Sequence, residues 1–159
     1  MLQGEIMTAP DSELIVLAYG VYPYAQNRLG AKLAQLGGDK NLSAALYWFL
    51  LAVESGFVES IWNAATMLIN GEGGIQNQEF GLVLVETAAN AGQNSACLFL
   101  ADCFKDGVYG YERNEVLSKN WIESAWDIDN EIEFVDPVVV DEYMHVRPNC
   151  PTDVTPNTS

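Results

Sequence analysis

Four groups of residues in this 159-residue chain are of types that could do chemistry. His145 is the single histidine. Histidine titrates near neutral pH and is the commonest general base, but hydrolytic chemistry around it would also need an activated nucleophile. No glycine–serine nucleophile elbow lies near it. Asp127, Asp129, Glu131 and Glu133 alternate in the manner of oxygen ligands for calcium. Such a loop also needs glycine at its sixth position and glutamate at its twelfth; counted from Asp127, those places hold Ile132 and Val138. Gly71-Glu-Gly-Gly74 is glycine-rich, but no strand-like run precedes it and no Lys-Ser or Lys-Thr follows, so it is not a phosphate loop. Cys97, Cys103 and Cys150 show no CxxC and no paired spacing. They read as two core thiols and one incidental thiol rather than a zinc site or a disulfide framework. No catalytic residue, metal or cofactor is expected, and the chain is not expected to be an enzyme.

The bulk numbers narrow the partners. Lys and Arg total 7 against 22 Asp and Glu, giving a formal charge of −15. Nucleic acids and anionic membranes need a basic footprint, so neither is expected as a partner. An acidic surface attracts cationic proteins and speeds their association. Hydrophobic residues make up 49% and charged residues 18%, a composition that folds. No apolar run reaches the ~18 residues of a membrane span. The N-terminus has no basic segment ahead of an apolar one, so no secretory signal is expected and the location expected is cytoplasmic.

The strongest signal is internal repetition. Residues 60–71 lie over residues 96–107 at an offset of 36 (96 − 60 and 107 − 71). Small residues fall on small ones (Ser60 and Ala96, Ala65 and Ala101), Leu68 falls on Phe104 and Gly71 on Gly107. Ala52 and Ala88, Gly56 and Gly92, and Gly74 and Gly110 keep the same spacing. A fixed period of 20–50 residues marks a repeat architecture, in which each unit buries its apolar face only against its neighbours. The expected fold is therefore all-α, one domain: a right-handed α-solenoid of helix-turn-helix repeats. An N-terminal helix over 11–22 precedes about three hairpin units over 24–56, 59–92 and 95–128. An irregular acidic tail, partly disordered, follows over 129–159. In the first unit Asn41 is expected to cap the second helix. Seven acidic residues fall within 127–142 with no Lys or Arg among them, Val138-Val-Val140 has β character, and disorder is expected from Arg147 on.

These units resemble the Sel-one-like repeat (SLR) family, a relative of the tetratricopeptide repeats. The residues that carry the resemblance are Leu29-Gly30, Ala45, Trp48, Ala52 and Gly56 in the first unit, and Ala88, Ala89 and Gly92 in the second. In the third they are Ala96, Leu100, Ala101, Phe104 and Gly107. Ala replaces the first-helix Gly in two units, and the family's Lys-Ala pair is blurred. The resemblance implies an adaptor or binding scaffold, and some bacterial members are immunity proteins of secreted toxins. It also implies a groove lined by the first helices. With Gly30, Ala65 and Ala101 as the close-packing position, the groove residues are Tyr24 and Asn27, then Glu59, Trp62, Thr66 and Asn70, then Ser95, Leu98, Asp102 and Asp106. The expected function is inhibition of a cognate, basic toxin by direct binding, the other possibility being a general adaptor that holds peptides in the groove. A second candidate surface is the acidic segment with Asp127, Asp129, Glu131 and Glu133.

Overall fold

The computed structural model describes residues 11–140 and Pro151. Seven α-helices lie among them: α1 (Asp11–Tyr19), α2 (Pro23–Leu36), α3 (Asp39–Glu54), α4 (Val58–Asn70), α5 (Gln78–Asn90), α6 (Asn94–Asp106) and α7 (Glu115–Ala125). A single 3-10 turn, Ile128–Asn130, follows. Successive helices pack in hairpins: α2 on α3, α4 on α5 and α6 on α7, with α1 against α2. The hairpins stack through α3 on α4 and α5 on α6. The fold is thus an all-α solenoid of helical hairpins, with one continuous core running from Leu14 to Ala125.

Local chemistry sets these boundaries. Asn77, Gln93 and Asn114 each accept a bond from the backbone N–H three residues on (Phe80, Ala96 and Leu117), capping α5, α6 and α7. Close crossings explain the small residues. A Cβ on Gly30 would come within 2.7 Å of the Phe49 ring, and one on Gly81 within 2.6 Å of Ile69 Cγ1. Ala65 and Ala101 occupy the close-packing position in the other hairpins, at 0% and 2% exposure. Among the aromatics, Trp48 is buried in this core, while Phe104 and Trp121 are half-buried.

Three local expectations are corrected. The first helix ends at Tyr19 rather than at residue 22, because the chain turns through Gly20 and Val21, the latter at φ +66. Pro23 opens α2 one residue before the expected start of the first unit at 24, as suits a residue without an N–H to leave unpaired. Asn41 does not cap α3, which starts two residues earlier; its Nδ2 instead donates to Gly37 O from within the first turn.

The segment after α7 departs most from the expectation of an irregular tail. Residues 131–140 form an extended strap that runs back along the solenoid. Ile132 N donates to Ala91 O at 2.7 Å, Val58 N to Glu133 O at 3.0 Å and Val135 N to Gly56 O at 2.9 Å. Phe57 and Phe134 form an isolated antiparallel bridge, and Val140 is 1% exposed. The β character read at 138–140 forms no strand. Each strap bond falls on a loop joining two units, where helix ends leave backbone groups without intrahelical partners. The disorder expected from Arg147 on, along with His145 and Cys150, falls outside the described residues apart from Pro151, whose carbonyl accepts from Tyr19 OH at 3.1 Å.

Candidate protein-binding surface

The groove residues do not form one free surface. Asn27 Oδ1 accepts from Ser60 Oγ at 2.7 Å and from Asn63 Nδ2 at 3.1 Å. It ties α2 to α4 and is half-buried. Tyr24 is likewise engaged. Its hydroxyl donates to Glu133 Oε1 at 2.6 Å, and its ring meets Phe57 and Phe134 edge-on at 5.0 Å and 5.8 Å. The strap sits on it. Thr66 Oγ1 donates to Asn63 O within its own helix.

Other candidates face solvent. Glu59, Asn70, Asp102 and Asp106 are exposed, as are Asp127, Asp129, Glu131 and Glu133. Asn70 Nδ2 reaches Glu72 Oε1 at 3.4 Å, and Glu59 Oε1 accepts a long bond from Gln93 Nε2 at 3.5 Å. The strap brings part of the first-helix set and part of the acidic segment together. Glu59, Glu131 and Glu133 line one open cleft of about 350 Å³ whose apolar walls are Phe57, Val58, Ile128 and Ile132. Two surfaces read as alternatives in the sequence therefore meet at the start of α4.

Trp62 is half-buried and belongs to a row that single-residue reading missed. Its ring meets Phe99 at 6.0 Å, and Phe99 meets Tyr109 at 5.5 Å. Trp62 therefore packs on the neighbouring hairpin and still shows part of its face. Phe99 stands where the other units carry Asn27 and Asn63 (27 + 36 = 63, 63 + 36 = 99). That break in the repeat was the available signal. Tyr109, 39% exposed, sits at φ +56, a conformation rare for side-chain-bearing residues. Ser95 and Leu98 are half-buried beside this row in sequence.

Electrostatics at the remaining reactive groups favour inert forms. Burial pushes the Cys103 thiol up to about 11, helped by the carboxylates of Asp102 and Asp106. Burial also raises Cys97. Both stay thiols at neutral pH, the opposite of an activated nucleophile. Tyr111 is raised by burial and by its bond to Glu86. Among the described residues, no group of three or more His, Cys, Asp or Glu is placed to hold a metal ion. No described helix is long and apolar enough to cross a membrane.

Tyr24 makes one pH-dependent prediction. Desolvation first, then the Glu133 bond and charge, push its hydroxyl from 10.0 up to about 12. Below pH about 10 the tyrosine is protonated in both folded and unfolded chains, and its contribution to stability is fully present. Between pH 10 and 12 only the unfolded chain ionises, so that contribution is lost as pH rises. The fall in urea midpoint across this window should be smaller in Tyr24→Phe than in the native chain. Parallel curves would contradict the Tyr24–Glu133 contact.

No curated protein matches this chain in a sequence comparison. The family model of the Sel1 repeat matches three successive segments, residues 23–57, 58–93 and 94–127, which coincide with the three stacked hairpins. Together these segments span most of the chain, and the chain belongs to the Sel1 repeat family, whose repeats mediate protein–protein binding.

Proposed function

We propose that this chain is a non-catalytic inhibitor of the immunity or antitoxin type, which neutralises a cognate basic toxin by direct binding. The observation that carries this reading is charge held on a rigid frame. A net −12 over residues 11–140 (18 Asp and Glu against 6 Lys and Arg) is displayed on stacked hairpins and a docked strap, and the cleft at the start of α4 carries Glu59, Glu131 and Glu133 among apolar walls. Toxins that act on nucleic acid need a cationic cleft, and an acidic surface competes for it while steering the encounter. The cleft's apolar walls supply the desolvated contact that pure charge lacks. The raised thiols of Cys97 and Cys103 fit a role in which nothing needs to react.

A second reading, a general adaptor, is favoured by the Trp62–Phe99–Tyr109 row, since partly exposed aromatics serve as peptide anchors. Growth rescue separates the two. The product of the reading frame beside this gene is expressed under an inducible promoter, with and without the chain. The inhibitor reading expects growth arrest that the chain relieves. An adjacent product that is harmless, or whose toxicity the chain leaves unchanged, would refute that reading and leave the adaptor.

A further inference from the structure

Among the described residues no further hairpin covers the end of the solenoid at α7. Aligning the helix caps Asn77 and Asn114 places α7 at an offset of 37 from α5 (114 − 77). Two positions at the second helix of each unit then line up: Phe49, Val85 and Ile122, and Val53, Ala89 and Trp126, the last just past the end of α7. In the first two units they are 3% and 0%, and 0% and 2% exposed; in the third they are 41% and 70% exposed. The difference follows the architecture. After α3 comes α4, and after α5 comes α6, each stacked on its predecessor. Among the described residues no α-helix follows α7. The strap does not take that place, because it turns back from Ile128–Asn130 towards Ala91 and Gly56. Ile128, 78% exposed, extends the uncovered apolar surface. Terminal repeats ordinarily close with a polar face, and this one does not.

We infer that the open face of α7, centred on Ile122 and Trp126, docks an amphipathic helix of a partner protein in the position a fourth unit's first helix would take. Repeat register supplies the shape: α6 stacks on α5, with Cys97 Sγ of α6 donating to Ala89 O at 3.3 Å, and the corresponding end of α7 is Trp126. Charge supplies the choice of occupant. Residues 115–131 hold Glu115, Glu123, Asp127, Asp129 and Glu131 against the single base Lys119. The docking helix therefore carries apolar residues one turn apart, flanked by Lys or Arg. A second copy of this chain is the poorer fit, because it would bring five carboxylates against five and −15 against −15. This surface borders the cleft at α4, with Ile128 and Glu131 shared between them, but its centre at Ile122 and Trp126 lies outside that cleft, and it holds for a partner of either proposed kind.

The probe is a synthetic peptide with the sequence of Asn94–Asp106, the helix that covers α5, bearing Lys at positions 102 and 106 in place of Asp. Titrated into the full ¹⁵N-labelled chain, it should shift amides of α7 and residues 126–129. Trp126→Ala and Ile122→Asp should each weaken it at least tenfold. The unchanged acidic peptide should bind at least tenfold more weakly than the lysine form. Shifts confined to α4 and α6, equal binding of both peptides, or no shift at millimolar peptide would overturn the inference. So would a dimer in sedimentation equilibrium that Trp126→Ala dissolves, since the face would then belong to a second copy.

Discussion

Gly56→Ala is expected to destabilise the chain by about 2–4 kcal/mol and to free the strap from the solenoid. Two costs add at this residue. Gly56 sits at φ +79, where a Cβ costs about 1–2 kcal/mol. The added carbon would also lie 2.0 Å from Val135 O, and moving that residue's backbone away pulls on the bond that Val135 N donates to Gly56 O. Relief of that clash lifts the strap, and with it the burial of Val140 and the Phe57–Phe134 contact. Gly74→Ala is the control. Gly74 has φ +88 but a Cβ there meets nothing within 4 Å, so only the conformational part, about 1–2 kcal/mol, should appear. Urea unfolding measures both, and limited proteolysis of the strap separates them. Equal destabilisation by the two variants, with the strap equally resistant, would contradict the docked strap.

Reversing the exposed acids should slow capture of a basic partner by about 10- to 1,000-fold, mostly through the association rate. The variant replaces Glu59, Asp102, Asp106 and Glu131 with Lys, moving the formal charge from −15 to −7 (four changes of +2). All four side chains are exposed, so circular dichroism should remain that of the native chain. Glu133 is left in place because it holds Tyr24. A second variant with Lys at Glu13, Asp39, Glu79 and Glu112 has the same net charge with the change placed elsewhere. If the proposed surface does the steering, the first variant loses far more rate than the second. Equal losses would mean that only the overall charge matters and that the partner docks elsewhere.

The parts of the structure legible in the sequence are those that repeat. A hairpin must bring helix axes close at one point, so Gly30, Ala65 and Ala101 recur there, and the 36-residue spacing of Ser60 and Ala96, or Leu68 and Phe104, follows from stacking. The strap was not legible because it does not repeat. Its contacts join residues as far apart as Tyr24 and Glu133, 109 positions along the chain. Its alternation of acid and apolar residues reads equally well as a solvated tail. The structural bonds of Asn27 were not legible for a related reason. A polar side chain bonded between two first helices has the same sequence appearance as one facing a groove, and only the distances to Ser60 and Asn63 distinguish them. Phe99 and the bare α7 face were visible as breaks in the pattern: an aromatic where two units have Asn, and a Trp at position 126 where two units have Val and Ala.

The central claim is that an acidic surface on a Sel1 solenoid captures a basic protein. Its most direct measurement is stopped-flow association of the purified chain with the purified product of the adjacent reading frame, at two ionic strengths. A one-to-one complex is predicted, with an association rate that falls steeply as salt shortens the reach of the carboxylates from about 30 Å at 0.01 M to about 10 Å at 0.1 M. No complex, or a rate that salt leaves unchanged, would contradict it.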